Sequence, residues 1–263
     1  NYKTQKIEEK ESYRWIESGI ESKQNLSQAK QITVIADRES DIYEEFIDVP
    51  DERTDLLIRS RGNRSLKEGD TLHERINKQE VCGDYELKVR TTKNRTGRDT
   101  RIEVKYTRVK IRKPHSRTIR KEIPQYIEIS VVEAKEIKSE VPLGEKPIHW
   151  VLLTTHPIMN IQDAYQVIHW YGIRWQIELL FNTMKSKGLD IESSELESGK
   201  SLKVLCIMAM QVAILINQLR QARNDTTGIP ASVSFTASQI KLLKVLVTQY
   251  ERKTAKQKYF ASL

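Results

Sequence analysis

Residues 31–37 read QITVIAD. Ile32, Thr33, Val34 and Ile35 form a short, β-branched and mostly apolar run between polar residues. That length and composition predict a buried strand. The run ends on Asp37. An acid at the carboxyl end of a buried strand stands where open α/β sheets place their sites. It equally suits the cap of a turn, because DRESD (37–41) holds four charges in five residues. Ser40 and Asp41 offer N-caps for a short helix through Phe46. Upstream, residues 7–30 are polar and helix-forming, with Trp15, Ile16 and Ile20 at helical spacing. Downstream, 56–60 (LLIRS) predicts a second strand. Helix, strand, helix, strand is the order of an α/β core.

From 62 to 147 the apolar residues recur with period two: Tyr85-Leu87-Val89, Ile102-Val104-Tyr106, Val109-Ile111 and Ile127-Ile129-Val131. This predicts antiparallel strands of an inserted sheet. Their polar partners are mostly Lys and Arg, and 93–101 (KNRTGRDTR) reads as an exposed loop tip. Pro142, Gly144 and Pro147 close the insertion. Residues 150–154 (WVLLT) predict a returning buried strand. Asn160 with Asp163 has capping-box spacing. One long helix is predicted over 161–187, stopped by Gly188. Residues 202–223 predict an apolar helix packed in the core, and 240–250 an amphipathic one. The chain thus divides into a first core part (1–61), a basic β-rich insertion (62–147), a second core part (148–225) and a helical C-terminal segment (226–263).

The 263 residues carry 44 Lys and Arg against 36 Asp and Glu, a net charge of +8. Residues 87–121 alone hold fourteen Lys and Arg against Asp99 and Glu103, so that segment exceeds the charge of the whole chain. A concentrated basic element on a near-neutral body suits a polyanionic partner; a solvated basic hairpin is the plainer alternative. No uninterrupted apolar stretch reaches membrane-spanning length, since Gln211 and Asn217 break 204–219, so no membrane partner is expected. Cys82 and Cys206 are too few for a disulfide scaffold and fit a reducing cytoplasm. The five histidines, His73, His115, His149, His156 and His169, show no zinc spacing. No secretory signal and no Gly-rich phosphate loop is seen.

Residues 171–185 read YGIRWQIELLFNTMK. On one helix, Tyr171, Arg174, Glu178 and Lys185 project within an arc of about 60°. A phenol, a guanidinium, a carboxylate and an ammonium on one stripe suit phosphate handling near a metal. An ordinary solvated face with an Arg–Glu pair is the bland alternative. Asp37 and Glu178 together could share divalent ions and drive in-line attack at phosphorus.

The segments VIADRESDIYEEF (34–46) and PIHWVLLTTHP (147–157), with Tyr171, Arg174, Glu178 and Lys185, resemble the DDE transposases of bacterial insertion sequences. The resemblance is to the cut-and-paste group with a tyrosine–arginine–glutamate–lysine signature, and it runs from about Glu9 onward. It implies a ribonuclease H-like core with a large antiparallel β insertion before the catalytic glutamate helix and a helical C-terminal part. It implies that Asp37 and Glu178 are catalytic and hold Mg²⁺ or Mn²⁺. Two ions are expected, one activating the nucleophile and one stabilising the leaving oxygen. Tyr171, Arg174 and Lys185 would position phosphates. Trp150 would stack on a base flipped from the duplex, or else serve as a core residue at a strand start. Arg59, Arg61 and Arg64 would contact DNA near the site.

The implied partner is double-stranded DNA at transposon ends, bound by a homodimer in a bacterial cytoplasm, at the nucleoid. Residues 1–30 contain no Asp. The family's first catalytic Asp is therefore expected outside this chain, which begins at Asn1 rather than Met, and the fragment is expected to be inactive alone. The family's dimerisation region is expected to be cut short at Leu263. A non-catalytic DNA-binding remnant, or another metal-dependent nuclease of the same fold, are the alternatives.

Overall fold

The computed structural model describes residues 5–92, 95–115, 119–186, 189–224, 230–233 and 235–250. It comprises two compact units, Asn1–Arg174 and Trp175–Leu263. In the first unit, α1 (Tyr13–Asn25) precedes β1 (Ile32–Ala36), α2 (Glu45–Asp48) and β2 (Thr54–Arg59). Then follow α3 (Leu72–Asn77), β3 (Gly83–Val89), β4 (Arg98–Arg112), β5 (Tyr126–Glu136), β6 (His149–Thr154) and α4 (Ile161–Ile173).

All six strands join one sheet in the order β1-β2-β6-β5-β4-β3. β1 and β2 run parallel, with Ala36 opposite Ile58. Every other pairing is antiparallel. The β-rich segment is therefore not a separate sheet. β6 has two edges whose backbone groups need partners. It meets β2 on one side and β5 on the other, so β5, β4 and β3 extend the sheet that begins at β1.

The central strands read as continuous apolar runs because both faces are covered. Leu56 and Ile58 pack with Val131 and Leu153 on one face, beneath Ile16 of α1 and Phe46 of α2. Leu57, Val132 and Leu152 pack on the other, beneath Ala164, Val167, Ile168 and Tyr171 of α4. α4 starts where the capping box was expected: the Asn160 side chain accepts from Asp163 N–H at 3.0 Å, and the Asp163 carboxylate accepts from Asn160 N–H. α1 lies close to α2, since a Cβ at Gly19 would meet Val49 Cγ2 at 2.8 Å. Arg53 fixes the end of α1 by donating to the carbonyls of Lys23, Ser27 and Ala29.

The second unit holds α5 (Trp175–Lys185), α6 (Gly199–Asn224) and α7 (Ala237–Tyr250). α5 and α6 meet through Met184, Ala209 and Ala213, flanked by Leu180, Leu189 and Ile191. Thr183 Oγ1 donates to Asn217 Oδ1 at 3.1 Å across the same contact.

Two expectations need correction here. α6 is not a core helix: Val204, Ile207, Met208 and Val212 are exposed, while Ala209 and Ala213 are buried against α5. Nor does its polar content exclude a span. Gly199–Gln221 is long and apolar enough to cross a membrane by length and composition, because its apolar residues outweigh Gln211 and Asn217. Lys187 and Gly188, the expected end of the long helix, lie outside the described residues, as do 225 and, in the C-terminal segment, 226–229, 234 and 251–263.

Candidate nucleic-acid and catalytic site

β1 and β2 end side by side. Because Ala36 pairs with Ile58, the next residues, Asp37 and Arg59, leave adjacent parallel strands at the same level. β6 enters at this end, with Arg59 opposite Leu152 and Ser60 N–H donating to Val151 C=O at 2.8 Å. Trp150 therefore belongs to the same sheet end as Asp37 and Arg59.

Asp37 is half-buried and caps the 3-10 turn Arg38–Ser40, its Oδ1 accepting the Glu39 N–H at 2.9 Å. The caps expected at Ser40 and Asp41 are thus displaced to Asp37. A helix through Phe46 is replaced by this turn and the later α2. Asp37 consequently has a fixed orientation, with one carboxylate oxygen tied to its own turn.

Arg59 is half-buried. It donates to the His149 carbonyl at 2.9 Å and shares a hydrogen bond with the Tyr171 side chain. Burial depresses its pKa, and the nearby charges of Arg38 and Arg174 depress it further. The Arg174 guanidinium lies 5.8 Å from the Tyr171 ring centroid. The Trp150 ring meets Tyr171 edge-on, with centroids 5.2 Å apart and planes at 68°. Arg59 and Arg174 thus meet at one phenol beside an indole, with the charge of Arg38 close to Arg59. Like charges held this close repel one another, and a bound anion relieves that repulsion. A phosphate suits the planar donor geometry of Arg.

Arg61 and Arg64 belong to the loop after β2. The side chain of Asp41 is almost wholly buried and organises this loop. Its Oδ2 accepts the Arg61 N–H at 2.7 Å, and its Oδ1 accepts from Arg64 Nε at 2.9 Å and from Arg64 Nη2. Arg64 Nη2 also donates to the Asp41 carbonyl at 2.7 Å. Arg64 therefore shapes the loop, while the Arg61 side chain is exposed on it.

The expected single helix is two helices. α4 ends at Ile173, with Arg174 as its C-cap and Arg174 N–H turned to Tyr171 C=O at 3.1 Å, a tightened last turn. α5 starts at Trp175. The stripe divides accordingly, Tyr171 and Arg174 falling in the first unit, Glu178 and Lys185 in the second. Glu178 is half-buried in the first turn of α5, and Lys185 Nζ is bound to Glu192 Oε1 at 2.6 Å in an exposed pair.

Among the described residues, four arginines of the basic segment are paired with acids outside it. Arg98 bonds Glu136 at 2.6 Å and Glu145 at 2.9 Å in a nearly buried network. Arg101 pairs with Glu140, Arg108 with Glu128 and Arg120 with Asp48. Periodicity could not show these partners, because they lie on the neighbouring strand or beyond it. Lys88 and Arg90, at the end of β3, are exposed.

Sequence reasoning missed Arg38, Asp41 and Glu45. The charge density of DRESD was the available signal, but nothing in it distinguishes a capping acid from a loop-organising one. A family model for the transposase DDE domain matches residues 19–216. The chain belongs to the DDE-class insertion-sequence transposases, a family of polynucleotidyl transferases.

Proposed function

We propose that this chain is the catalytic domain with which the full-length protein carries out metal-dependent cleavage and strand transfer of double-stranded DNA at transposon ends, on a ribonuclease H-like core, as a homodimer. The observation that carries this reading is the gathering of Arg38, Arg59, Arg174 and Tyr171 at the strand end that bears Asp37. Arg59 and Arg174 hold a backbone phosphate there, and Tyr171 fixes the Arg59 guanidinium. Trp150, steadied by the Tyr171 edge, offers a face for an unstacked base. Arg61 and Lys185 add backbone contacts, and Arg64 keeps the loop of Arg61 in shape.

DDE transposases generally use divalent metal ions. Asp37 fits that role chemically: it is a hard oxygen donor at a strand end, oriented by the Glu39 N–H. No group of three metal-binding side chains is assembled among the described residues. Asp37 and Glu178 would hold Mg²⁺ or Mn²⁺, two ions serving the complete site. Such ions supply a lowered water pKa and charge stabilisation at the reacting phosphate. The chain's own residues bind the strand, orient the phosphate and place the flipped base.

The test is Asp37→Asn beside Arg59→Gln, made in the full-length protein and assayed for DNA binding and for nicking of end-sequence duplex with Mn²⁺. Asp37→Asn is expected to bind and not nick; Arg59→Gln is expected to bind more weakly. Unchanged nicking by Asp37→Asn would overturn the assignment.

A further inference from the structure

The turn that presents Asp37 rests on a buried pair that the reading above does not use. Ser40 and Glu45 are both fully buried. Ser40 Oγ lies 2.5 Å from Glu45 Oε1. Glu45 Oε2 is buried and has no hydrogen-bond partner. Ser40 N–H returns to the Asp37 carbonyl at 3.3 Å, and Ser40 C=O accepts from Ile42 N–H at 2.8 Å. The Ser40–Glu45 contact therefore ties the far end of the Asp37 turn to α2.

We propose that Ser40 and Glu45 form a buried clamp that positions Asp37, and that it holds only while the Glu45 carboxyl is uncharged. An ionised carboxylate with one buried, unsatisfied oxygen carries a full desolvation penalty. The neutral acid lowers that penalty: Oε1 stays bonded to the Ser40 hydroxyl, and the buried, unpartnered Oε2 no longer carries charge. Charged groups on the surrounding elements do not offset an ionised Glu45. Asp41 in the turn repels it, and Arg64 is committed to Asp41. On α2 itself, Asp48 is bound to Arg120, and Glu44, just before α2, carries the same sign as Glu45. From α1, Arg14 reaches Glu11 and Glu39.

The electrostatics agree with this geometry. Burial pushes the Glu45 carboxyl up to about 7, the Ser40 bond opposes it, and Asp41 adds to it. The folded state holds this proton more tightly than the unfolded chain, whose value is near 4.5. The clamp is therefore complete below 4.5 and is lost as pH rises through about 7. Naming Asp37 as the catalytic group it serves rests on the function proposed above; the clamp itself does not.

The experiment is amide hydrogen exchange of residues 38–42, corrected for the intrinsic pH dependence, at about pH 5.5 and about pH 8.5. It compares the wild-type chain with Glu45→Gln and Glu45→Ala. In the wild type, protection should fall about tenfold or more at the higher pH. Glu45→Gln, neutral at both, should keep its protection, and Glu45→Ala should show little at either. Equal wild-type protection at both values, or a Glu45→Gln variant that reproduces the wild-type fall, would overturn the clamp. Should Glu45→Ala fail to fold, the Gln comparison decides alone. Exchange needs no catalysis, so a wild-type chain that binds no DNA would refute the proposed function while leaving the clamp judged on its own data.

Discussion

Asp41 and Arg64 are locked together beneath the loop that follows β2, with Arg64 Nε 2.9 Å from Asp41 Oδ1 and the Asp41 side chain only 2% exposed. The other Asp41 oxygen takes the Arg61 N–H. One buried carboxylate thus couples the turn after β1 to the basic loop after β2. Asp41→Asn leaves the Arg64 charge uncompensated, so a loss of about 3 kcal/mol is expected. Chemical denaturation measures it. A loss below about 0.5 kcal/mol would place the pair among weak surface contacts.

Glu178→Gln keeps the size and hydrogen-bonding capacity of the side chain and removes its charge. In the full-length protein, cleavage of end DNA is expected to fall by about a thousandfold or more, near 4 kcal/mol of barrier. Binding should change less than about threefold, within about 0.7 kcal/mol. Weak binding by a normally folded variant would give Glu178 a role in holding DNA instead.

Trp150 has a structural neighbour in Tyr171 and a proposed partner in a flipped base. Trp150→Ala should weaken binding of end DNA by about 1–3 kcal/mol, the worth of one stacked base. A fluorescent base analogue at the flipped position should brighten with this variant. No change in its signal would assign Trp150 to packing alone.

Basic residues of β3 and β4 should separate into two groups. Lys88→Gln is expected to lower the salt slope of DNA binding by about 0.9 per lost phosphate contact, with stability unchanged. Arg98→Gln strips two carboxylates, Glu136 and Glu145, of their partner and should chiefly destabilise the fold. Paired titrations with salt and with denaturant check both. A salt slope altered equally by the two variants would contradict the division.

His156 adds a pH dependence of opposite sign to that of Glu45. It bonds Thr33 Oγ1 at 2.9 Å and lies 3.2 Å from Asp55 Oδ2, with Trp170 against its ring. Burial lowers its pKa below 6.5, and the Asp55 charge opposes this only in part. Its contribution to stability is therefore full above 6.5 and is lost as pH falls through the lowered value. Melting temperatures at acidic pH should fall less steeply in His156→Gln than in the wild type. Parallel curves would remove His156 from the acid response.

The sequence by itself determined most of the local structure in the first unit. The β-branched run before Asp37, the apolar run before Arg59, the period-two segments and the Asn160–Asp163 cap are all local signals. Strand type and the start of α4 follow from near neighbours along the chain, whereas the runs 102–106 and 109–111 proved to be one strand, β4. The sequence also determined the family, through the residues around Asp37, Trp150 and Tyr171, now matched over 19–216. Tertiary structure decided what depends on partners distant in sequence. β6 between β2 and β5 makes one sheet of six strands, because both of its edges need hydrogen bonds. Glu136, Glu140 and Asp48 neutralise arginines that looked like a uniform footprint. The break at Arg174 divides a stripe that helical periodicity had joined. Periodicity records which residues repeat along one element, whereas charge pairing, burial of Glu45 and the ends of helices are set by what packs against that element.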